Sequence, residues 1–180
     1  PVIPPCTRVR HGGMSRQRSG GTINGVKNAV SAKGTGASTA MNAGVIKGAI
    51  AGIIFRQGGY VSNASTGRLI GSIAGVAALG TLAATVANAG SIGGSKFGVD
   101  IYSVNGQVIN SGKITSQLQN NSAGVGLKAG GDVTNTSSRH ISGEAVGVPS
   151  GANAGAAGAA SSGGGGPTWL YMPHVIEMGE

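Results

Sequence analysis

The chain has 180 residues, 36 of them glycine, with only 10% charged residues and a net charge of +8. Two Phe, three Tyr and one Trp are too few for the bulky core of an ordinary globular domain, and the balance of glycine against charge fits neither a typical enzyme nor a charge-rich disordered chain. Cys6 is the single cysteine, which excludes an intrachain disulfide and leaves the redox compartment undecided.

Residues 1–18 carry two Pro-rich steps and Arg8, Arg10, Arg16 and Arg18, and are expected to be a basic, disordered leader. They lack the apolar run of a secretory signal. Residues 19–150 repeat. The slot that opens each repeat holds Ile23, Ile46, Leu69, Ile92, Ile114 and Ile141, at spacings of 23, 23, 23, 22 and 27 residues. Six or seven residues later comes a Gly-Val pair or its equivalent, Ala29-Val30, Gly52-Ile53, Gly75-Val76, Gly98-Val99 and Gly147-Val148, delayed in one repeat by an insertion to Gly124-Val125, whose Val lies eleven residues after Ile114. An Asn precedes the aliphatic slot by four residues at Asn42, Asn88 and Asn110, and by six at Asn63 and Asn135. Residues 151–166 are Gly, Ala and Ser, the composition of a flexible linker. Residues 167–180, with Trp169, Leu170, Tyr171 and Ile176, form a short apolar tail expected to have no partner in the chain.

A period of about 23 residues means one supersecondary unit stacked on copies of itself. Within it, apolar and polar residues alternate over three short runs, Val-x-Asn, Ile-x-Gly and Gly-Val-x-Leu, with Gly and Asn between them, which is a strand-and-turn pattern. The expected fold is all-β: a right-handed parallel β-helix of about six coils. Parallel copies would stack ~4.8 Å apart, aliphatics over aliphatics inside, with glycine supplying positive φ at the corners. Thr22, Val45, Arg68, Ser91, Lys113 and His140 precede the inward slot and therefore face outward, as Asp100 does beside Val99 and Ile101.

Asn88–Gly94, Asn110–Ser116 and Gly126–Asn135 resemble autotransporter passenger domains, the adhesin-like β-helices exported by Gram-negative bacteria. The resemblance covers roughly residues 19–150. It implies type V secretion, an extracellular or outer-membrane-surface location, and a C-terminal membrane barrel in the full-length protein, outside these residues. Arg139 departs from it, since other repeats have Gly at that corner.

Other chemistries find little support. Asp100, Asp132, Glu144, Glu177 and Glu180 are the only carboxylates, and Asp100 and Asp132 belong to different strands of the coil, so no convergent acid pair is expected. One Cys and three dispersed His do not give metal-ligand spacing, and Gly124-x-Gly126-x-x-Ala129 lacks the helix that a dinucleotide fingerprint requires. No Arg-Gly-Gly repeat with interleaved aromatics occurs, so no specific nucleic-acid partner is expected. The expectation is a protein that is not an enzyme and needs no cofactor or metal, acting as an adhesin or structural spacer against a host-cell surface, matrix or glycan. Exposed strand edges at the stack ends favour self-association. The alternatives are a small Gly-rich integral membrane protein, through the uncharged run 69–88, or a carbohydrate-active β-helix fragment. Candidate contact residues are Gln117, Gln119, Asn120 and Asn121, in the insertion that stretches one repeat to 27 residues, and the outward Arg68, Lys113 and His140.

Overall fold

The computed structural model describes residues 7–9, 13–117, 122–136, 140–143, 146–147 and 170–171. Among these residues there is no helix; every strand pairing is parallel, and the strands wind into a β-solenoid of about five turns. Three strands make a coil, giving three faces. The isoleucine face stacks Thr22–Gly25, Val45–Gly48, Arg68–Gly71, Ser91–Gly94, Lys113–Ser116 and His140–Ser142 as one six-stranded sheet. The glycine-valine face holds Asn28–Ala32, Ala51–Phe55 and Ala74–Ala78, and the asparagine face holds Ser38–Asn42, Gly59–Asn63 and Ala84–Asn88. The long strands Phe97–Asn110 and Ala123–Asn135 turn the corner between these two faces without a break, joining them into one ten-stranded sheet. Their register shifts between Ile101 and Val104, beside Asn105 at φ 53°.

The aliphatic slot of each repeat forms one column. Ile23, Ile46, Leu69, Ile92, Ile114 and Ile141 are successive register partners, and Ile46, Leu69, Ile92 and Ile114 are fully buried. Opposite them run Val30, Ile53, Val76, Val99 and Val125. The tube is narrow, so volumes alternate: Phe55 stacks between Ala32 and Ala78. Each buried branched side chain contributes ~1.5–3 kcal/mol, which is how a chain so poor in aromatics builds a core.

Buried asparagines form the third column. Asn42 Nδ2 donates to Asn63 Oδ1 at 2.8 Å, Asn63 to Asn88 at 2.8 Å, Asn88 to Asn110 at 2.7 Å and Asn110 to Asn135 at 2.7 Å. The same amide groups also donate to the turn carbonyls of Gly44, Gly67, Gly90 and Gly112. A buried amide is tolerated because its donors and acceptors are matched by an identical group one coil away.

The corner glycines are needed for closeness rather than for positive φ. The described glycines with positive φ are Gly20, Gly59, Gly130 and Gly131, none of them in the repeated corner columns. A Cβ at Gly48, Gly71 or Gly94 would overlap the carbonyl oxygen of Ala51, Ala74 or Phe97, and one at Gly124 would stand 2.6 Å from Ile141 Cγ2.

Three expectations need correction. Residues 1–18 are not wholly a disordered leader: Thr7–Val9 pairs with 30–32, and Met14–Gln17 pairs with 39–42. Polar Met-Ser-Arg-Gln still presents Ser15 inward and so extends the asparagine face by a coil. The tail is not without a partner, since Leu170–Tyr171 pairs with Val146–Gly147. Asp100 does face outward, but instead of being solvated there it is buried. The outer side of the glycine-valine face carries a second apolar cluster of Ala51, Ile54, Ala74, Ala77, Phe97 and Ala123, and Asp100 sits within that surface. The uncharged run 69–88 forms three strands of the stack, and no helix among the described residues is long and apolar enough to cross a membrane. Residues 151–166 and Arg139 lie outside the described residues.

Candidate functional site

Parallel stacking converts a position in the repeat into a straight row on the surface. Thr22, Val45, Arg68, Ser91, Lys113 and His140 are consecutive register partners on the outer side of the isoleucine face. Arg68 and Lys113 are exposed and His140 is half-buried. Two strand steps of ~4.8 Å separate Arg68 from Lys113, and one further step leads to His140. Lys47 stands exposed in the adjoining outward row. The described acids lie elsewhere: Asp100 is on the glycine-valine face and Asp132 is exposed on the asparagine face. The outer isoleucine face is therefore cationic, with no described carboxylate on it.

An open groove of about 520 Å³ runs beside this row. Its polar lining is Ser65, Thr66, Arg68, Ser91, Lys113 and His140, and its floor is Gly67, Ala89, Gly90 and Gly112. The groove comes from unequal turns. From Asn88 to Ser91, and from Asn110 to Lys113, the chain takes three residues, but from Asn63 to Arg68 it takes five. The asparagines remain in one column, so the additional residues stand out as a wall at Ser65 and Thr66. That wall is pinned: Thr66 Oγ1 donates to Ala43 O at 2.7 Å and Gly67 N to Ala64 O at 2.8 Å. The floor has no freedom to fill in. A Cβ at Gly67 would meet Asn42 O at 2.8 Å, and one at Gly90 or Gly112 would overlap the carbonyl of the coil beneath.

Three of the residues singled out from sequence, Arg68, Lys113 and His140, are thus brought together. Gln117 is exposed at the other end of the isoleucine strand, its backbone N–H donating to Ser95 O, and takes no part in the groove. Gln119, Asn120 and Asn121 lie outside the described residues. Sequence reasoning missed Ser65 and Thr66, and read Ser91 as an outward slot without counting it among the contacts. The signal for Ser65 and Thr66 was present in the longer offset of Asn63 from Leu69, which displaces the turn rather than the strand.

No family profile, curated protein or solved structure matches this chain. The groove therefore has to be read from its own chemistry. It offers cations, hydroxyls, backbone polar groups and the His140 imidazole, and no Phe, Tyr or Trp. Among the described residues no cluster of three His, Cys, Asp or Glu is placed to hold a metal ion.

A second charged group sits on the glycine-valine face. Lys128 Nζ stands 4.0 Å from Asp100 Oδ1 and 4.5 Å from the centroid of the Phe97 ring. Burial raises the Asp100 carboxyl above the usual carboxylate range, opposed by the Lys128 charge, a hydrogen bond from Tyr102 and the Lys96 charge. The Asp100 carboxylate in turn raises the Tyr102 hydroxyl, helped by burial and by that hydrogen bond. Asp100 Oδ1 itself accepts no hydrogen bond. Among the described residues this group has one acid, which is buried and lies on a different face from Asp132, so these two carboxylates do not form the paired, accessible arrangement of glycoside cleavage.

Proposed function

We propose that this protein is a non-catalytic display rod, an adhesin-like or spacer segment of an autotransporter passenger that is exported to the bacterial surface. The observation that carries the reading is the division of labour within each coil. Inward positions are committed to stacked apolar and asparagine columns, while the outward row varies through Thr, Val, Arg, Ser, Lys and His. A scaffold whose inside repeats and whose outside varies presents contacts without performing chemistry. Stacked parallel backbones also suit an extended rod that folds outside the cell without disulfides, in keeping with the lone Cys6. The partner is a host-cell surface, a matrix or a glycan, reached through the groove at Arg68, Lys113 and His140. No cofactor enters this reading.

Labelling of intact cells tests it. An antibody or protease that detects the solenoid on unbroken cells supports display. Detection only after lysis removes the exported reading.

A further inference from the structure

We propose that the groove on the outer isoleucine face binds a linear acidic polysaccharide laid along the stack axis. The inference rests on the display reading only in taking the ligand to be external, and it specifies the ligand's chemistry. Four observations point the same way. Arg68 and Lys113 project from one row two coils apart, ~9.6 Å by the strand spacing. A polymer with one acid in every two sugars can match that step. His140 continues the row, and Lys47 flanks it. None of the Lys47, Arg68 or Lys113 side chains has a hydrogen-bond or ion-pair partner among the described residues. These charges are free to meet sulfate or carboxylate groups, the Arg in bidentate fashion.

The groove is also an open trough rather than an enclosed cavity, so a chain can pass through it. Its floor of Gly67, Ala89, Gly90 and Gly112 lets sugar rings approach the backbone closely, and Ser65 and Ser91 offer hydroxyls to sugar hydroxyls. Nucleic acid fits less well. Single-stranded nucleic acid is held by large aromatic platforms on which successive bases stack, and the lining contains no Phe, Tyr or Trp, its one ring being the half-buried His140 imidazole.

The test is direct binding of the whole chain to immobilised dextran sulfate, polygalacturonate, neutral dextran and a single-stranded DNA oligomer. One or both acidic polysaccharides are expected to bind, with neutral dextran silent and DNA at least about tenfold weaker. The stronger of the two identifies sulfate or carboxylate as the recognised group. The variant R68S/K113S is expected to weaken binding by about tenfold or more, the scale of losing charge-assisted contacts. K27S/K33S removes the same charge from exposed positions off the groove and should stay within about twofold. S91W, which fills the trough from an outward slot, should block binding as R68S/K113S does. Equal losses from the two charge pairs, binding that survives S91W, DNA binding as tight as polysaccharide, or no binding by the parent chain would each overturn the proposal. Polysaccharide binding fails or succeeds independently of intact-cell labelling, so loss of the groove and loss of the display reading are told apart.

Discussion

Asn88 bonds to the coil on either side of it, accepting from Asn63 and donating to Asn110. Removing that amide breaks the ladder twice: Asn63 Nδ2 keeps Gly67 O and Asn110 Oδ1 keeps Gly112 N, but each loses its partner in the neighbouring coil. A lost buried hydrogen bond costs about 1–2 kcal/mol where its partner stays buried, so the two together make Asn88→Ala expected to lower unfolding stability by roughly 2–4 kcal/mol in a denaturant melt. An unchanged midpoint would mean that the column is not continuous. Asp100 behaves in the opposite sense. Burial raises its folded-state pKa above the unfolded value, so the folded state holds a proton that the unfolded state has already released. Stability should therefore rise as pH falls from neutral toward the ordinary carboxylate range, and fall as pH rises through the folded pKa. Asp100→Asn is expected to be more stable than the parent at neutral pH and to lose this acid-side gain. Parallel pH profiles for the two proteins would contradict the burial of a charged carboxylate.

At the scale of the element, neighbouring glycines have opposite duties. A Cβ at Gly94 would overlap Phe97 O, whereas one at Gly93 meets only Thr115 Oγ1 at 3.5 Å. Gly94→Ala is expected to cost about 3 kcal/mol or more through forced backbone movement. Gly93→Ala should be neutral or stabilising by up to about 1 kcal/mol, since alanine restricts the unfolded strand. Thermal melts of the pair decide it, and equal losses would show that the corner is not tightly packed. The columns were legible in sequence because Ile46, Leu69 and Ile92 recur at constant spacing, and constant spacing in a stack is vertical alignment. The covered outer side of the glycine-valine face was not legible. Ala51, Ile54, Ala74 and Phe97 alternate with inward residues as any outward row would, and nothing local marks Ala or Phe as covered. The groove was half legible: its cations occupied predicted outward slots, but its wall arises from turn length measured against a column, which requires knowing that Asn63 and Asn88 align.

For the whole molecule, fold and surface are one consequence of in-register stacking. The register that buries Leu69, Ile92 and Ile114 also aligns Arg68, Ser91 and Lys113. A shift of one residue in the coil of Leu69 or Ile114 would reverse its faces, burying Arg68 or Lys113 and exposing the aliphatic. The rod must therefore be uniform in register to carry a linear site. Nitroxide labels at residues 91 and 113, introduced by S91C/K113C in a C6S background, measure this directly by dipolar broadening of the continuous-wave EPR spectrum. Adjacent strands put the two backbones ~4.8 Å apart, so strong broadening is expected that persists on dilution with unlabelled chain. The pair S91C/Q107C, on two different faces, should show much weaker broadening. A sharp spectrum from the 91/113 pair, or equal broadening from both pairs, would contradict the stacked register on which the fold and the groove both depend.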